Sequence, residues 1–315
     1  AVVSSPSKSA ETVNVAPATS ISLSADDMRR HGIRTVDEAI NYLAFGMITD
    51  RKFQTAEVGA RGVMITGDFG SHVLLMVDGH VLSEQWGGGA YFDRGNGIPF
   101  ELIDHIEIVL GPGSVLYGSN AMLGIVHIVT KRAKDFDGGH LVVESEVPVS
   151  LRGAVGFGKE FQLFGVDSEV VFEAEHYEQR GPVFSFGPQD VGPDAVTGVS
   201  RHFDPNPADR KYPPGVFGGD GDDAYYTHAP AAYLKLTIGD VQIAGRASLY
   251  QRTYPTDGGN FDDPDSYEQD RFAHIDIKHS VTASAAAKLS TRLYGDVYDY
   301  NQYWTSNGAE DCLVG

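Results

Sequence analysis

Residues 83–97 concentrate the residue types best suited to binding an organic ligand. Three consecutive glycines, Gly87 to Gly89, are surrounded by a set of aromatic, amide and charged residues: Gln85, Trp86, Tyr91, Phe92, Asp93 and Arg94. Aromatic rings can stack on a flat ring system, and a guanidinium can clamp an anionic group. The pattern predicts a ligand-contacting loop. The alternative is a flexible glycine spacer that carries aromatic residues by chance.

No group of residues in the sequence indicates catalysis. Several histidines fall on predicted strands, but none has a serine or cysteine nucleophile in a recognisable context. The one cysteine, Cys312, cannot form an internal disulfide, and no spacing of cysteine and histidine resembles a zinc site. We therefore expect a protein that is not an enzyme and has neither a cofactor nor a bound metal.

Charge and composition exclude further classes. The 315 residues include 24 Lys and Arg against 43 Asp and Glu, a net charge of −19, so binding of nucleic acid by phosphate neutralisation is excluded. Hydrophobic residues make up 42% of the chain, which excludes wholesale disorder. No apolar run approaches the roughly 18 residues of a membrane-spanning helix. Composition does not distinguish a soluble protein from a β-barrel membrane protein.

The N-terminal residues 1–19 are rich in Ser, Ala and Pro and predict a flexible tail. One hexapeptide within this tail alternates β-branched and polar residues as a strand does: Glu11, Thr12, Val13, Asn14, Val15 and Ala16. Such a segment suits addition to the sheet edge of a partner protein. The alternative is a linker with two valines by chance.

Residues 20–133 predict a mixed α+β domain. Ser24 and Thr35 are each followed three residues later by a carboxylate, which predicts two helices that end near Gly32 and Gly46. Apolar runs predict three strands, at residues 73–77, 105–110 and 124–130. Glycine-rich turns separate these strands, so the domain is expected to bury one modest core.

Residues 134–315 predict antiparallel strands. Seven segments place apolar residues at every second position, with polar and often charged residues between them. The connections alternate between short turns, such as Gly239-Asp240, and long loops at residues 179–229 and 255–269. Outer-membrane barrels are built in this way. An antiparallel soluble β-domain is the alternative interpretation.

The sequence from residue 59 to residue 131 resembles the plug domain of TonB-dependent outer-membrane receptors. The matching motifs are ARGV at 60–63, VLLMVDGH at 73–80, IP at 98–99, HIEIVLGPGSVLYGSNA at 105–121 and GIVHIVTK at 124–131. Their order and spacing hold over more than seventy residues. The resemblance covers residues 20–131 and continues beyond them only as the alternating pattern of barrel strands.

The resemblance implies site residues as well as a fold. The hexapeptide from Glu11 to Ala16 is similar to a TonB box, which pairs with the C-terminal domain of TonB and so with its energising complex in the inner membrane. The outward plug loops would bind the ligand. They contain Asp68 and Phe69 in one loop, and the aromatic, amide and charged residues of the loop at residues 83–97 in the other. Arg61 and Glu107 are expected to form ion pairs between plug and barrel wall; a solvated pair without consequence is the alternative.

The implied fold is an α+β plug followed by antiparallel transmembrane β-strands, about 7 of the roughly 22 that a plugged barrel has. An odd number of strands does not close such a barrel. The chain is therefore expected to end in an extracellular loop, and the remaining strands to lie on a second fragment or outside this sequence. Five glutamates are expected to make the lumen wall acidic and to disfavour a bare polyanion: Glu144, Glu146, Glu169, Glu173 and Glu175.

The implied function is uptake of a small extracellular ligand across the outer membrane of a Gram-negative cell. The ligand would be a siderophore, a metal chelate or a similar compound, with the plug and N-terminus on the periplasmic side and the barrel in contact with outer-membrane lipids. A plug-barrel protein without transport, acting as a structural or docking part of an envelope complex, is the alternative. A soluble β-domain enzyme or lectin is a third possibility.

Overall fold

The structure is a computed structural model of the 315-residue chain. It describes residues 2–3, 11–12, 19–43, 46–52, 55–65, 67–118, 120–136, 138–146, 150–190, 216–221, 225–253, 267–284 and 287–303. Residues 13–16 of the predicted TonB box and Cys312 lie outside this part of the chain. The backbone of Glu11–Thr12 (β2) pairs antiparallel with that of Val2–Val3 (β1).

The plug is built on a five-stranded sheet. Its strands, in spatial order, are β3 (Thr19–Ser24), β8 (Ile103–Leu110), β9 (Gly124–Thr130), β6 (Val73–Val77) and β7 (His80–Val81). The pair β6 and β9 is parallel, and the other neighbours are antiparallel. The predicted strands at 73–77 and 124–130 are confirmed, and the third begins two residues earlier than predicted. The edge strand β3 was not predicted, because its alternation is short and lies beside the flexible tail.

Three α-helices and a hairpin complete the plug. The helices are α1 (Ala25–Arg30), α2 (Val36–Leu43) and α3 (Ser114–Tyr117), and the hairpin joins β4 (Met47–Lys52) to β5 (Thr55–Ala60). The Ser24 hydroxyl accepts a hydrogen bond from the Asp27 N–H at 3.2 Å, which confirms the predicted start of α1. Short 3-10 turns occur at Arg94–Asn96, Phe100–Leu102 and Ala133–Asp135. Among the described residues, no helix has the length and hydrophobicity needed to cross a membrane.

A second sheet of seven strands surrounds one side of the plug. Its strands, each antiparallel to the next, are β10 (Gly139–Glu146), β11 (Ser150–Leu163), β12 (Val166–Arg180), β15 (Tyr226–Ile238), β16 (Val241–Thr253), β17 (Tyr267–Ser284) and β18 (Ala287–Tyr303). The seven predicted segments are confirmed. A separate hairpin of β13 (Phe184–Asp190) and β14 (Val216–Gly221) lies in the connection between β12 and β15, and was not predicted.

The two faces of this sheet have opposite environments. On the outer face, Leu141 is 75% exposed and Leu293 is 68% exposed, while on the inner face Arg152 is 4% exposed and Glu173 is fully buried. A soluble antiparallel domain would instead bury its apolar face and solvate its polar one. The exposed apolar face is that of a barrel wall surrounded by lipid. We refer below to the seven-stranded sheet as the wall.

The connections of the wall differ between its two ends. Short connections join β11 to β12, β15 to β16 and β17 to β18, whereas long ones join β12 to β15 and β16 to β17 at the opposite end. The connection from β10 to β11 lies at the long-loop end but is short, so the predicted alternation of loop lengths begins only after β12.

Gly97 marks a close approach between plug and wall. Its φ of 64° lies in the left-handed region, and a Cβ there would stand 2.5 Å from the Cβ of Ser248 on β16. Gly32 has a similar φ of 67°, but a Cβ there would meet nothing within 4 Å. Substituting each glycine therefore distinguishes the cost of backbone strain, which both share, from the cost of collision with the wall, which only Gly97 has.

We expect Gly97→Ala to reduce the free energy of unfolding more than Gly32→Ala does. Both lose about 1–2 kcal/mol through the strain of an L-residue in the left-handed region, and Gly97→Ala adds about 1–3 kcal/mol of overpacking against β16. Denaturant titration of both variants in detergent measures the difference. Equal losses would contradict the close approach.

Candidate functional site

A pocket of about 120 Å³ opens between the plug and the long-loop end of the wall. Four of the eight residues predicted to bind a ligand line it: Asp68, Phe69, Trp86 and Tyr91. The wall contributes residues that were not predicted: Arg252 on β16, Glu268 on β17, and Tyr298 and Tyr300 on β18. The pocket is therefore shared between the plug and the wall.

The loop that carries Trp86 is folded around one carboxylate. Glu84 accepts hydrogen bonds from the backbone N–H groups of Trp86, Gly87 and Gly89, the last two at 2.7 and 2.9 Å. The Trp86 side chain is left 84% exposed at the pocket mouth. Its ring lies nearly parallel to that of Tyr300, at 10° and with 6.1 Å between centroids. The two rings offer flat apolar faces to a ligand.

The one guanidinium in the pocket is already neutralised. Arg252 donates to Glu268 at 2.6 Å and to Asp270 at 3.1 Å, and it lies 5.1 Å from the centre of the Tyr91 ring. Burial raises the pKa of Tyr91, so its hydroxyl stays protonated. The other charged groups lining the pocket, Asp68 and Glu84, are acidic. This charge balance favours a neutral or cationic aromatic ligand over a polyanion.

The other four predicted ligand residues are placed elsewhere. Phe92 is fully buried in the plug core, and Gln85 is exposed but does not line the pocket. Asp93 accepts a hydrogen bond from the Tyr250 hydroxyl at 3.0 Å. Arg94 lies 3.8 Å from the centre of the Tyr177 ring and 3.5 Å from Glu175. Asp93 and Arg94 therefore attach the plug to the wall, and Arg94, which was predicted to clamp an anion, does not line this pocket.

The first group of contacts between plug and wall centres on Arg152 of β11. Its guanidinium donates to Glu101 of the plug at 3.2 Å, to Glu175 at 2.9 Å and to Glu144 at 2.6 Å. Arg29 of the plug also donates to Glu101, at 2.6 Å. Burial alone would raise the pKa of Glu101, but the hydrogen bonds and charges of Arg29 and Arg152 outweigh it and hold the pKa below its usual range.

A second group surrounds the turn between β6 and β7. The Asp78 carboxylate accepts from Thr130 Oγ1 at 2.6 Å and lies 3.4 Å from Lys235 Nζ of β15. Lys278 of β17 donates to the Asp78 carbonyl at 2.6 Å. Burial would raise the pKa of Asp78, but Lys235 and Thr130 hold it below its usual range. Both groups of contacts leave buried charges paired across the interface.

The five glutamates predicted to make an acidic lumen face the plug instead. Glu169, Glu173 and Glu175 are buried, and Glu175 accepts a hydrogen bond from the Phe100 N–H at 3.0 Å. Glu144 pairs with Arg152, and Glu146 pairs with Arg34 of the plug. All five lie on the inward face, as predicted. Glu146 and Glu175 contact the plug directly, whereas Glu173 pairs with His140 of the wall at 3.0 Å and the Glu144 side chain is about half exposed.

Arg61 and Glu107, predicted to join plug and wall, make different contacts. Arg61 lies in a turn, not on a strand, and its guanidinium donates to the Leu110 carbonyl at 3.3 Å. Glu107 is 2% exposed and lies 3.2 Å from His127 Nδ1 and 3.5 Å from His105 Nε2. These contacts are inside the plug, because β8 pairs with β9 and places the carboxylate between the two histidines.

The wall residues that hold the plug were missed by sequence reasoning. Arg152, Lys235 and Arg246, which donates to the Asn96 carbonyl of the plug, all lie at polar positions of the alternating segments, but sequence gives no distance between strands and plug. One sequence signal could have identified them: a lysine or arginine on a strand whose preceding and following residues face lipid. Such a side chain has only the plug or the lumen to contact.

His105 predicts a pH dependence of plug stability. Burial would lower the pKa of His105, but hydrogen bonds with Glu107 and Asp104 outweigh it, so the pKa is raised above 6.5. The resulting stabilisation is complete below the unfolded pKa of about 6.5. It is lost as the pH rises through the folded pKa.

We expect the free energy of unfolding to decrease from pH 6 to pH 9 in a Trp304→Phe background, in which Trp86 fluorescence reports the plug. Adding His105→Gln should flatten this decrease. An unchanged pH profile in the His105→Gln variant would contradict the assignment.

Removing Arg152 tests the first group of contacts. Arg152→Met leaves the buried Glu175 without its closest cation and removes one of the two arginines on Glu101, and should cost about 3–5 kcal/mol of unfolding free energy. The matched control is Arg271→Met, since Arg271 and Asp299 form an ion pair that is about half exposed. That control should cost less than about 1 kcal/mol. Similar losses in the two variants would show that the buried network does not hold the plug.

Comparison with known proteins identifies relatives of the plug and structures that share the fold. Residues 12–125 match the family described as TonB-dependent Receptor Plug Domain. The ferric enterobactin receptor PirA of Pseudomonas aeruginosa is 29% identical over 164 residues, covering 50% of this chain and 22% of that protein. The vitamin B12 transporter BtuB of Vibrio vulnificus is 33% identical over 89 residues, covering 27% of this chain and 14% of BtuB. The matches thus span less than a quarter of these relatives.

Solved structures share the fold. The ferric yersiniabactin uptake receptor FyuA of Yersinia pestis superposes with a TM-score of 0.56 at 17% identity, covering 92% of this chain and 42% of FyuA. The siderophore receptor PirA of Acinetobacter baumannii gives a TM-score of 0.54 at 15% identity, covering 88% of this chain and 39% of PirA. Residues 12–125 therefore match a TonB-dependent receptor plug domain, and the solved structures share the fold of plug and wall.

Proposed function

We propose that this chain forms the plug and the first barrel strands of an outer-membrane receptor that binds an extracellular ligand and imports it with energy delivered through TonB. The ligand is a siderophore, a metal chelate or a similar compound. The long-loop end of the wall faces the outside of a Gram-negative cell, and the plug and N-terminus face the periplasm. Residues 1–19 serve as the tail, 20–133 as the plug and 134–315 as the beginning of the barrel.

The shared pocket is the observation that carries this proposal. A ligand in this pocket, packed against Trp86 of the plug and Tyr300 of the wall, touches both parts of the molecule. Its binding energy therefore depends on how the plug sits in the wall, and a movement of the plug changes the affinity. A scaffold protein has no need for a ligand pocket divided in this way.

The interface between plug and wall suits a plug that moves. Its contacts are mainly ion pairs and hydrogen bonds, such as Arg152 with Glu101 and Lys235 with Asp78. Buried ion pairs contribute little net stability once the cost of removing water is counted, because water can solvate the separated charges again. A pulling force on the N-terminus can therefore release the plug from the wall without unfolding the wall.

The proposed point of force application is the hexapeptide of Glu11, Thr12, Val13, Asn14, Val15 and Ala16. An extended segment in a tail can pair with TonB as an added strand. Pulling on it acts directly on β3, which follows in sequence and lies at the edge of the plug sheet.

Deleting residues 11–16 from the gene in its own host tests the proposal. We expect uptake of the ligand to fall to the level of a strain without TonB, while the protein still assembles in the outer membrane. Deletion of residues 4–9, of equal length in the same tail, is the control and should retain uptake. Probes are ferric enterobactin, ferric yersiniabactin and vitamin B12, the ligands named for similar proteins, supplied under iron or cobalamin limitation.

A pocket variant distinguishes binding from energy transfer. Trp86→Ala should weaken ligand binding to cells, whereas the deletion of residues 11–16 should leave binding intact. If uptake falls after Trp86→Ala but continues after the deletion, import does not depend on residues 11–16 and the TonB-dependent role is contradicted. If neither change alters binding or uptake, the structural or docking role is favoured.

A further inference from the structure

Three metal-ligating side chains meet where the plug touches the wall. His80 lies on β7 of the plug, while His274 on β17 and Asp296 on β18 are directly opposite each other in the wall register. One ligand atom from each of the three lies within 4.8 Å of the other two. His80 Nε2 is 2.7 Å from Asp296 Oδ1, and the rings of His80 and His274 are 4.0 Å apart between centroids. We call these three residues the His80 cluster.

His274 gives an independent indication of a ligand. Its side chain is more than nine-tenths buried, yet neither ring nitrogen has a hydrogen-bond partner among the described residues. Buried polar atoms are almost always paired, so such an imidazole needs an explanation. A metal ion between His274, His80 and Asp296 would occupy one of its nitrogens.

We propose that the His80 cluster binds a divalent transition-metal ion that joins the plug to the wall. Two imidazoles and one carboxylate form a donor set typical of zinc with one coordination position open, and cobalt(II) adopts similar sites. Metal-to-ligand distances of about 2.0–2.2 Å require donor atoms roughly 3.3 Å apart. The 2.7 Å hydrogen bond between His80 and Asp296 must therefore lengthen, and His274, which no hydrogen bond restrains, must swing inward.

Within the described part of the chain, three cations lie near the cluster. Arg292 donates to both oxygens of Asp276 at 2.8 Å, and Lys278 lies 3.2 Å from the same carboxylate, so these two have a carboxylate partner outside the cluster. The third, Arg246, is opposite His274 in the wall register and donates to the Asn96 carbonyl; its charge opposes the ion and must be outweighed by the two imidazoles and the carboxylate. Arg292 Nη2 is also 3.2 Å from His80 Nδ1. Coordination through His80 Nε2 places the ring proton on Nδ1, so that contact with Arg292 must open. Asp296 is the one partly exposed member, with 31% of its side chain accessible, and gives the ion a path of entry.

A metal ion here acts differently from the ion pairs nearby. It bonds one plug residue to two wall residues, and binds only while the plug is docked. It therefore stabilises the docked plug by mass action, whatever the imported ligand is. Sequence reasoning predicted no metal site, because the three residues are far apart in the chain and have no local spacing pattern.

Titration of the purified, detergent-solubilised chain with Co2+ tests the proposal. Wild type should bind one Co2+ with the visible absorption of a site containing imidazole nitrogen, and Zn2+ should displace it. His274→Ala and Asp296→Asn should each weaken binding at least tenfold. The matched control is His228→Ala, which removes a histidine from a partly exposed group on the outer face that also contains His176 and Glu178; it should bind as wild type does.

Thermal unfolding with and without Zn2+ compares each variant with itself, so the test does not depend on how stable a single variant is. Zn2+ should raise the unfolding temperature of wild type and of His228→Ala, but not of Asp296→Asn, whose side chain has the same shape as that of Asp296. The proposal is overturned if wild type binds no Co2+, or if binding is lost in His228→Ala and kept in His274→Ala and Asp296→Asn.

Discussion

The whole arrangement depends on one constraint: every charge that the wall turns inward must find a partner on the plug or on a neighbouring strand. Arg152 is 4% exposed and contacts three carboxylates, and Lys235 is similarly buried beside Asp78. A buried charge without a partner would be very costly, whereas a paired one is close to neutral in free energy. The plug is thus positioned accurately by contacts that add little to its stability, a combination that a hydrophobic interface of the same area would not give.

The same constraint explains the difference between the two surfaces of the wall. Strand periodicity sends alternate residues to opposite faces, so each inward cation requires outward neighbours that lipid can accept. On β11, the buried Arg152 is flanked by the half-exposed Leu151 and by Gly153. A shift of register by one residue would place charge in lipid and apolar side chains against the plug. Register, lipid contact and plug docking are therefore fixed by the same alternation.

Sequence predicted the parts of the fold that depend on local pattern. The motif around Asp78, the cap at Ser24 and the two-residue period of the wall each lie within a short stretch of chain. Contacts between distant segments were not predictable, because they depend on how the plug is oriented inside the wall. Arg94 was expected in the ligand pocket but packs on Tyr177, and Glu107 was expected at the wall but lies between two plug histidines. In both cases the sequence indicated that the residue would pair with another group, but not which group that would be.

The loop folded around Glu84 has a consequence for the kinetics of recognition. One carboxylate accepts three backbone N–H groups, so the exposed Trp86 ring is carried by a backbone that is already ordered before any ligand arrives. Little conformational entropy is then lost on binding, and the free protein needs no slow rearrangement. Related ligands should associate at similar rates, and differences in affinity among them should appear mainly as differences in residence time in the pocket.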